Sequence, residues 1–391
     1  NGSNFIPLRV FIELIMSCTC SDALAVRLMQ FNIRTGFADI GTDHAWQTVL
    51  GALGVSHSRE CRRFAAAAAI LHHKPDIVAT QEGLPWQMEH LQTDTADRYV
   101  SIGRPRGTNY FDNETSAILY DTTKWRPTEN GDFMNSSTPF MWGSKYAGGS
   151  WPMITSWVVL DSISAVGVRM LVASVHLDPR SLDVRTLSAR QILTEVVRIR
   201  EEHTCMHAFL LGDFNADCDE EAYTMFIDAG WKDAFTHVNG AYQAGSYTFH
   251  GFEGPSYQPK EYGPAKCIDF ILVWPQGLQV KAASVDKRRY GADGPETGSI
   301  FPSDHYPIIA DVELPFSKEQ VYRTTAGPLF YLSPSVPVPY KKCAPGLDIS
   351  YRTTARPQFA SLSPVQVPYK IHLPVRADIE RYKKTAQEVK A

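Results

Sequence analysis

Nine side chains, set in short strings spread over most of the chain, are suited to cutting a phosphoester with water. They are Asn32 in MQFN, Glu82 in ATQE, Glu114 in NETSAILY, His176 in SVHLD, Asp213 and Asn215 in LGDFNA, Asp269 in CIDF, and Asp304 and His305 in SDHYP. Each string puts a carboxylate, carboxamide or imidazole at one end of an apolar, β-branched run, where strands deliver side chains to the rim of a sheet. Phosphodiester hydrolysis needs an activated water, stabilisation of charge on the phosphoryl oxygens and help for the leaving oxygen. A divalent ion on hard oxygen ligands supplies the last two. Glu82 is the natural anchor for magnesium, with manganese as the alternative, and the Asn32 carboxamide oxygen and Asp304 stand beside it as further ligands. Few protein ligands suffice, because magnesium keeps waters and substrate oxygens.

His305 is the candidate general base, with Asp269 to fix its tautomer and stabilise its imidazolium. Asp213 then orients the attacking water and Asn215 donates to a phosphate oxygen. His176, once protonated, adds positive charge at the scissile group, and Glu114 is expected to hold that proton by pairing with it. Taken singly, each residue has an ordinary reading: a carboxylate at a strand end is usually a solvated turn residue, and GDFN alone is a strand followed by an Asx-turn. The signal is LGDFNA and SDHYP together, in this order, with QFN and TQE upstream. Of the other histidines, His72, His73, His203, His207 and His237 are read as structural or exposed, and His250 in SYTFHGF as the one closest to lining the cleft.

From Val26 to about Phe316 the pattern alternates strands and helices. VRLMQFNI, DIVATQE, YVSIGR, TSAILYD, MITSWVVLD, RMLVASVHLD, HAFLLGDFN, CIDFILVW and HYPIIADVEL are predicted strands. Arg59 to His73, rich in alanine and stopped by Pro75, and Leu182 to Glu202 are predicted long helices. Mixed strand runs with two long helices fit an α+β fold in which two packed mixed sheets carry helices on their outer faces.

After Pro315 the composition turns to Pro, Ser, Thr, Tyr and Val without a regular period, and residues 317–391 are expected to form an extended tail. It contains two copies of one segment, YRTTAGPLFYLSPSVPVPYK at 322–341 and YRTTARPQFASLSPVQVPYK at 351–370, matching at 12 of 20 positions with an offset of 29. Two copies are too few for a solenoid core. Two readings stand: Pro-rich linear segments that dock on a protein partner or larger assembly, or a disordered tail duplicated by chance. At about 3.5 Å per extended residue the copies reach at most roughly 100 Å apart, enough to touch successive subunits of a polymer such as a cytoskeletal filament. A short basic helix is expected over 377–390.

At 391 residues there is ample length for one large domain. The net charge of -4 lacks the basic footprint of a protein that grips long nucleic acid, so basic surface has to be local, at Arg104 and Arg106 in IGRPRG or at Lys287-Arg288-Arg289. Seven cysteines without ligand spacing indicate neither a disulfide scaffold nor a zinc site. No run of about 18 uncharged apolar residues predicts a membrane span. Residues 1–25 are set apart as a signal-like segment: Leu8 to Cys20 followed by Ala23-Leu24-Ala25 imitates a signal peptide, but Glu13 interrupts its apolar part. Three N-x-S/T sequons, at Asn1, Asn113 and Asn135, are compatible with secretion. Secretion and an intracellular site are left equally open.

These strings resemble the endonuclease/exonuclease/phosphatase superfamily, the fold of pancreatic-type deoxyribonucleases, abasic-site endonucleases, poly(A) deadenylases, neutral sphingomyelinases and inositol polyphosphate phosphatases. The resemblance spans roughly residues 26–315. It implies a four-layered α/β sandwich and magnesium-dependent hydrolysis of a phosphoester, with the roles given above at Asn32, Glu82, Glu114, His176, Asp213, Asn215, Asp269, Asp304 and His305. TQEGLPWQMEHL, IGRPRG, GSYTFHGFEGP, CIDFILV and FPSDHYPIIADVEL are most similar to stand-alone, often secreted members. Two departures bear on substrate. Similar members commonly carry an arginine before the apolar strand where this chain has Pro152-Met153-Ile154, and an aromatic after the glutamate where it has Thr115. Loss of the arginine is expected to weaken a phosphate contact. The alternative to an enzyme is a scaffold that uses the fold and its repeated tail to bind a polymeric partner.

Overall fold

The chain makes one local move twice: a strand, a covering helix, and a second strand parallel to the first. In the computed structural model, which describes residues 22–39, 43–47, 61–107, 113–243, 246–258, 267–275 and 277–316, β1 (Asp22–Asn32) leads through α1 (Arg62–His73) to β2 (Ile77–Gln81). The pairing is parallel, with Leu28 opposite Ile77 and Asn32 opposite Gln81. β7 (Arg169–His176) leads through α3 (Leu182–Glu202) to β8 (His207–Asp213), again in parallel, with His176 opposite Asp213. Helix boundaries are set locally. Lys74 takes the left-handed conformation after α1, its N–H returning to the Ile70 carbonyl, and Pro75 follows. The Ser181 hydroxyl accepts from the Val184 N–H at the start of α3.

Each parallel pair is flanked by strands running the other way. β4 (Ile118–Asp121) and β12 (Ile308–Phe316) flank β2 and β1, and β6 (Ile154–Ser162) and β10 (Asp269–Trp274) flank β7 and β8. With β3 (Tyr99–Ile102) and β11 (Gln279–Val285) at its edges, the first sheet has the order β11-β12-β1-β2-β4-β3. The second, closed by β5 (Trp125–Met134) and β9 (Lys232–Asp233), has the order β5-β6-β7-β8-β10-β9.

Strand alternation then assigns the layers. In β1, Val26 and Leu28 join Val158, Leu160, Met170, Val172 and Phe209 in the core between the sheets, while Met29 and Phe31 pack with Ala65, Ala66 and Ala69 of α1. The alanines give α1 a flat, small-residue face against its sheet. Leu91 of α2 (Pro85–Asp94) joins that outer core, and Ala189, Ile192, Val196 and Ile199 of α3 cover the second sheet. Helix, sheet, sheet and helix form the expected four-layered sandwich.

Six helices and strands were not legible: α2, β5, β9, β11, α4 (Glu221–Asp228) and α5 (Ala234–Asn239). β5 is an edge strand with exposed polar residues, and Pro127 sits at its register shift, which hides the period-two signal. β1 starts at Asp22, four residues before Val26, so Ala23-Leu24-Ala25 is strand, paired with Pro315, Leu314 and Glu313. Asn135 of the third sequon is buried, its carboxamide oxygen accepting from Thr155. Leu8 to Cys20, both repeat copies and 377–390 lie outside the described residues. Among the described residues no helix is long and apolar enough to cross a membrane.

Candidate active site

The topology gathers the site. β1, β2, β7 and β8 end at Asn32, Gln81, His176 and Asp213, while β4, β6, β10 and β12 run the opposite way and begin at Ile118, Ile154, Asp269 and Ile308. Ends of the first four and starts of the last four therefore share one rim of the sandwich. Across the second sheet His176, Asp213 and Asp269 lie side by side in register. Three strand exits carry a residue of left-handed conformation: Arg34 (φ 57), Glu82 (φ 61) and Asn215 (φ 48). Each lies one or two residues past the end of its strand, where strand gives way to loop at the rim. Non-glycine residues rarely adopt this conformation, and such outliers cluster at functional sites.

At the centre, Asn32 Nδ2 donates to Glu82 Oε1 and to Asp213 Oδ2, both at 3.0 Å, and so ties the first sheet to the second. Its oxygen accepts from the Arg34 N–H at 3.0 Å. The second oxygen of Glu82 accepts from the Thr35 N–H at 3.2 Å. Asp213 closes the Asx-turn of GDFN by accepting from the Asn215 N–H at 2.8 Å, so the turn and the site are the same structure. The Asn215 carboxamide donates to the Leu177 carbonyl at 3.0 Å.

His305 Nδ1 lies 2.9 Å from Asp269 Oδ2, the expected pair, and its Nε2 faces Asp213 Oδ2 at 3.8 Å. Burial alone would lower the His305 pKa, but Asp269 outweighs it, with help from Asp213 and Asp304, and holds it up to about 10. Asp213 is pushed up to about 7 by burial and by the charge of Asp269 opposite it. Burial also raises the Glu82 carboxyl, yet Arg34, His176, His305 and the Asn32 N–H together leave it below the ordinary carboxylate range.

His176 departs from its expected role. Its Nε2 faces Asp213 Oδ2 at 3.6 Å. Burial lowers its pKa to about 4, the Arg106 charge acting in the same direction and Glu82 against both, so the ring is neutral near pH 7. Glu114, expected to hold a proton on His176, forms an ion pair with Arg106 Nη2 at 3.0 Å. The cation on this side of the site is thus Arg106. Asp304 also departs from expectation: Arg34 Nη1 stands 3.2 Å from its Oδ2 and 3.9 Å from Glu82 Oε2, so a guanidinium lies between two of the three side chains assigned to the metal.

The donor set for a divalent ion is therefore regrouped. Ligand atoms of Glu82, His176 and Asp213 come within 4.8 Å of one another, as do those of Asp213, Asp269 and His305. The second group is already joined by the His305–Asp269 bond. In the first, two carboxylates converge on a single carboxamide, and a half-turn of that amide would present its oxygen beside them, a hard-oxygen set that fits magnesium or manganese.

Several residues at the site escaped sequence reasoning. Gln30 donates to Asp269 Oδ1 at 3.1 Å and to Gln81 Oε1 at 2.5 Å, and Gln81 donates to Ser174 Oγ at 3.2 Å, forming a polar bridge between the sheets beneath the rim. Their signal was available: Gln30 and Gln81 occupy inward positions of their strands, two residues beyond Leu28 and Ala79. His250, expected near the cleft, is fully buried. Its ring stacks on Tyr306 at 3.9 Å and its N–H donates to the Asp304 carbonyl, bracing SDHYP from behind. Neither basic string is a free basic surface. Arg288 is bound to Asp286, and Arg104 stacks on Trp142 with 4.0 Å to the ring centre.

Comparison with known proteins supports the fold. The chain matches the Endonuclease/Exonuclease/phosphatase family over residues 29–305. An endonuclease/exonuclease/phosphatase family protein from Bacteroides thetaiotaomicron is 25% identical, with a TM-score of 0.60 over 75% of this chain and 100% of that one. A mannosyl-6-phosphatase from the same organism has the same identity and TM-score, over 73% and 99%. The human Nocturnin catalytic domain, 16% identical with a TM-score of 0.55 over 75% and 97%, shares the fold. No curated protein matches the chain.

Proposed function

The chain belongs to the endonuclease/exonuclease/phosphatase family, and from that premise we propose that it is a divalent-metal-dependent hydrolase of phosphoesters. The observation that carries this reading is the buried His305–Asp269 pair at 2.9 Å, set beside two carboxylates, Glu82 and Asp213, that converge on Asn32. In the proposed reaction His305 Nε2 receives the proton of the attacking water once the ring is deprotonated, which, with its pKa held up to about 10, would need alkaline pH or the charge of a divalent cation beside Asp213. Asp269 fixes Nδ1–H and offsets the imidazolium charge, and Gln30 holds Asp269 in place. Asp213 accepts a hydrogen bond from the same water, and Asn215 offers its remaining N–H to a phosphate oxygen. Glu82, Asp213 and Asn32 would hold magnesium or manganese, which when bound stabilises charge on the phosphoryl oxygens and the leaving group. The Arg34 charge favours the ionised form of Glu82.

The mannosyl-6-phosphatase among the similar structures puts hexose phosphates first among substrates to try. The test is turnover by purified protein with magnesium, manganese or chelator, against hexose 6-phosphates, inositol phosphates, sphingomyelin, DNA and RNA. Metal-dependent release of product from one class supports the reading, and inertness toward all of them with both metals refutes it. We assign catalysis to residues 22–316. The repeat in the sequence supports a second role for residues 317–391, docking on a protein partner or assembly through both copies.

A further inference from the structure

We propose that one side of the catalytic rim is a docking surface for an anionic phospholipid bilayer, carried by the loop between β5 and β6 and the first turn of α3. Docking there would present the site to a phosphoester in a lipid headgroup, a consequence that rests on the hydrolase reading above.

Strand direction brings these segments to the rim. β6 runs antiparallel to both β5 and β7, so β5 and β7 end where β6 begins, and residues 135–153 and 177–182 leave the sandwich on the side of His176. β3 ends at the same rim, which brings Arg104 there. The loop is pinned at several points. Ser150 donates to Asp178, two residues past His176, through its N–H at 2.5 Å and its hydroxyl at 3.1 Å. The buried Asp178 carboxylate also accepts from the Arg180 and Ser181 N–H groups, so both segments hang on one side chain. Gln191 of α3 donates to the Met134 carbonyl and accepts from the Ser136 N–H and the Tyr146 hydroxyl.

A single exposed apolar side chain is ordinary on a protein surface. Here Phe140 (86% exposed), Met141 (63%), Trp151 (47%) and Leu182 (53%) stand together on the two clamped segments. A pinned loop cannot tuck its phenylalanine away, so the exposure is built in. The exposed charges of the same segments are Arg104, Lys145 and Arg180 against one acid, Asp183, and the next strand exit, after β8, adds Asp219. Arg104 lies over the Trp142 ring at 4.0 Å. Protruding Phe, Met and Leu interleaved with cations and tryptophan match the headgroup region of a bilayer. Apolar tips enter the acyl boundary, tryptophan settles at the interface, and Lys and Arg meet anionic headgroups. Sugar recognition gives no role to Met141 or Leu182. A side chain as exposed as Phe140 also lacks the packed surroundings of a protein-binding hot spot.

The test is flotation of the full chain with vesicles of phosphatidylcholine alone and with about one third phosphatidylserine, at low and at physiological salt. Binding to the mixed vesicles, weakened by salt, is expected. Phe140→Ser/Met141→Ser should lower the partition coefficient by about 10-fold to 100-fold, the worth of burying one such side chain. Lys145→Gln and Arg180→Gln should each lower it by about fivefold. All should keep the melting temperature of the original chain. Should the loop variants fail to fold, Leu182→Ser on α3 gives the same reading from outside the loop. Absence of binding to either vesicle overturns the proposal, as does binding that these variants leave unchanged. Equal binding to neutral vesicles overturns the anionic surface as occupant. Self-association that Phe140→Ser/Met141→Ser abolishes while flotation persists makes the occupant a second copy and overturns it too. Turnover of p-nitrophenyl phosphate with manganese, measured on the same preparations, separates this proposal from the one it rests on. Loop-dependent flotation without turnover of any substrate would sink the hydrolase reading alone. Turnover without flotation would sink only this one.

Discussion

Replacing Asp269 with Asn removes one negative charge that governs two neighbours. At 2.9 Å a full charge pair is worth about 6 kcal/mol at an effective dielectric constant of ~20, or about four pH units. Spreading of charge over carboxylate and ring reduces this, so the His305 pKa should fall by on the order of 3 units from about 10. Asp213, raised by burial and then by Asp269, should fall as well. A raised histidine pKa contributes stability that is complete below the unfolded value and is lost as pH rises through the folded one. The variant should therefore be less stable than the parent at pH 6, with the gap closing toward pH 10. The rate should fall for a separate reason. If the new amide turns its oxygen to Gln30, its NH2 faces His305 Nδ1, which must then accept, leaving Nε2 protonated and unable to take a proton from water. A loss of about 10²-fold to 10⁴-fold is expected, together with an acid limb of the pH–rate profile displaced to lower pH. The assay is an NMR titration of the His305 ring in metal-free protein, paired with kcat against pH in metal. A ring titration that does not move, with an unchanged rate, would refute both the pairing and its role.

Glu82→Gln should abolish metal-dependent hydrolysis while leaving the melting temperature within a few degrees; retained turnover, or unaltered metal affinity by calorimetry, counts against Glu82 as anchor. Gly212→Ala should cost about 1–3 kcal/mol in denaturant unfolding, because the new Cβ would lie 2.3 Å from the Val175 carbonyl oxygen; wild-type stability would show the strand able to relax. Asp286 is buried and accepts from His73, Arg288 and Tyr290, which hold its carboxyl below the ordinary range in spite of burial. A depressed carboxylate stabilises above its unfolded pKa and loses that as pH falls, so Asp286→Asn should cost about 2 kcal/mol at pH 7 and progressively less below pH 4. Equal losses at both pH values would refute the ionic origin. Ending the chain after Phe316 should leave folding and hydrolysis intact, because Phe316 already closes the β1–β12 ladder opposite Asp22; unfolding on truncation would make residues 317–391 part of the domain.

What the sequence disclosed follows from period and punctuation. Strands such as RMLVASVH and HAFLLGD are buried along their whole length, and a continuous apolar run ending in a polar residue is visible without knowing its neighbours. α3 was legible to its boundaries because its apolar spacing is helical throughout and Ser181 caps it. β5 escaped because an edge strand buries little: exposed residues and Pro127 interrupt the alternation on which the reading depends. α2 follows the left-handed Glu82, and its short run shows only Gln87, Met88 and Leu91 buried, too few for a helical signature.

The site divides the same way. Residue types at strand ends were legible because hydrolysis limits which groups can sit there, and the rim follows from two parallel pairs flanked by antiparallel strands. Partners were not legible, because they depend on distances between sheets rather than on spacing along the chain. His305 lies 2.9 Å from Asp269, since β12 and β10 both enter the rim beside the parallel pairs. Glu114 pairs with Arg106 instead of the expected His176, because Arg106 reaches it from a loop whose one-residue phase no periodicity fixes. The same substitution of partners reaches Asp304, where Arg34, turned left-handed after Asn32, brings its guanidinium to the carboxylate. In both cases an arginine on an irregular segment intercepts a carboxylate delivered by a strand. Irregular backbone at the strand exits therefore decides which carboxylates remain available for a metal: Glu82 and Asp213 stay in contact through Asn32, while Glu114 and Asp304 are each neutralised by a guanidinium.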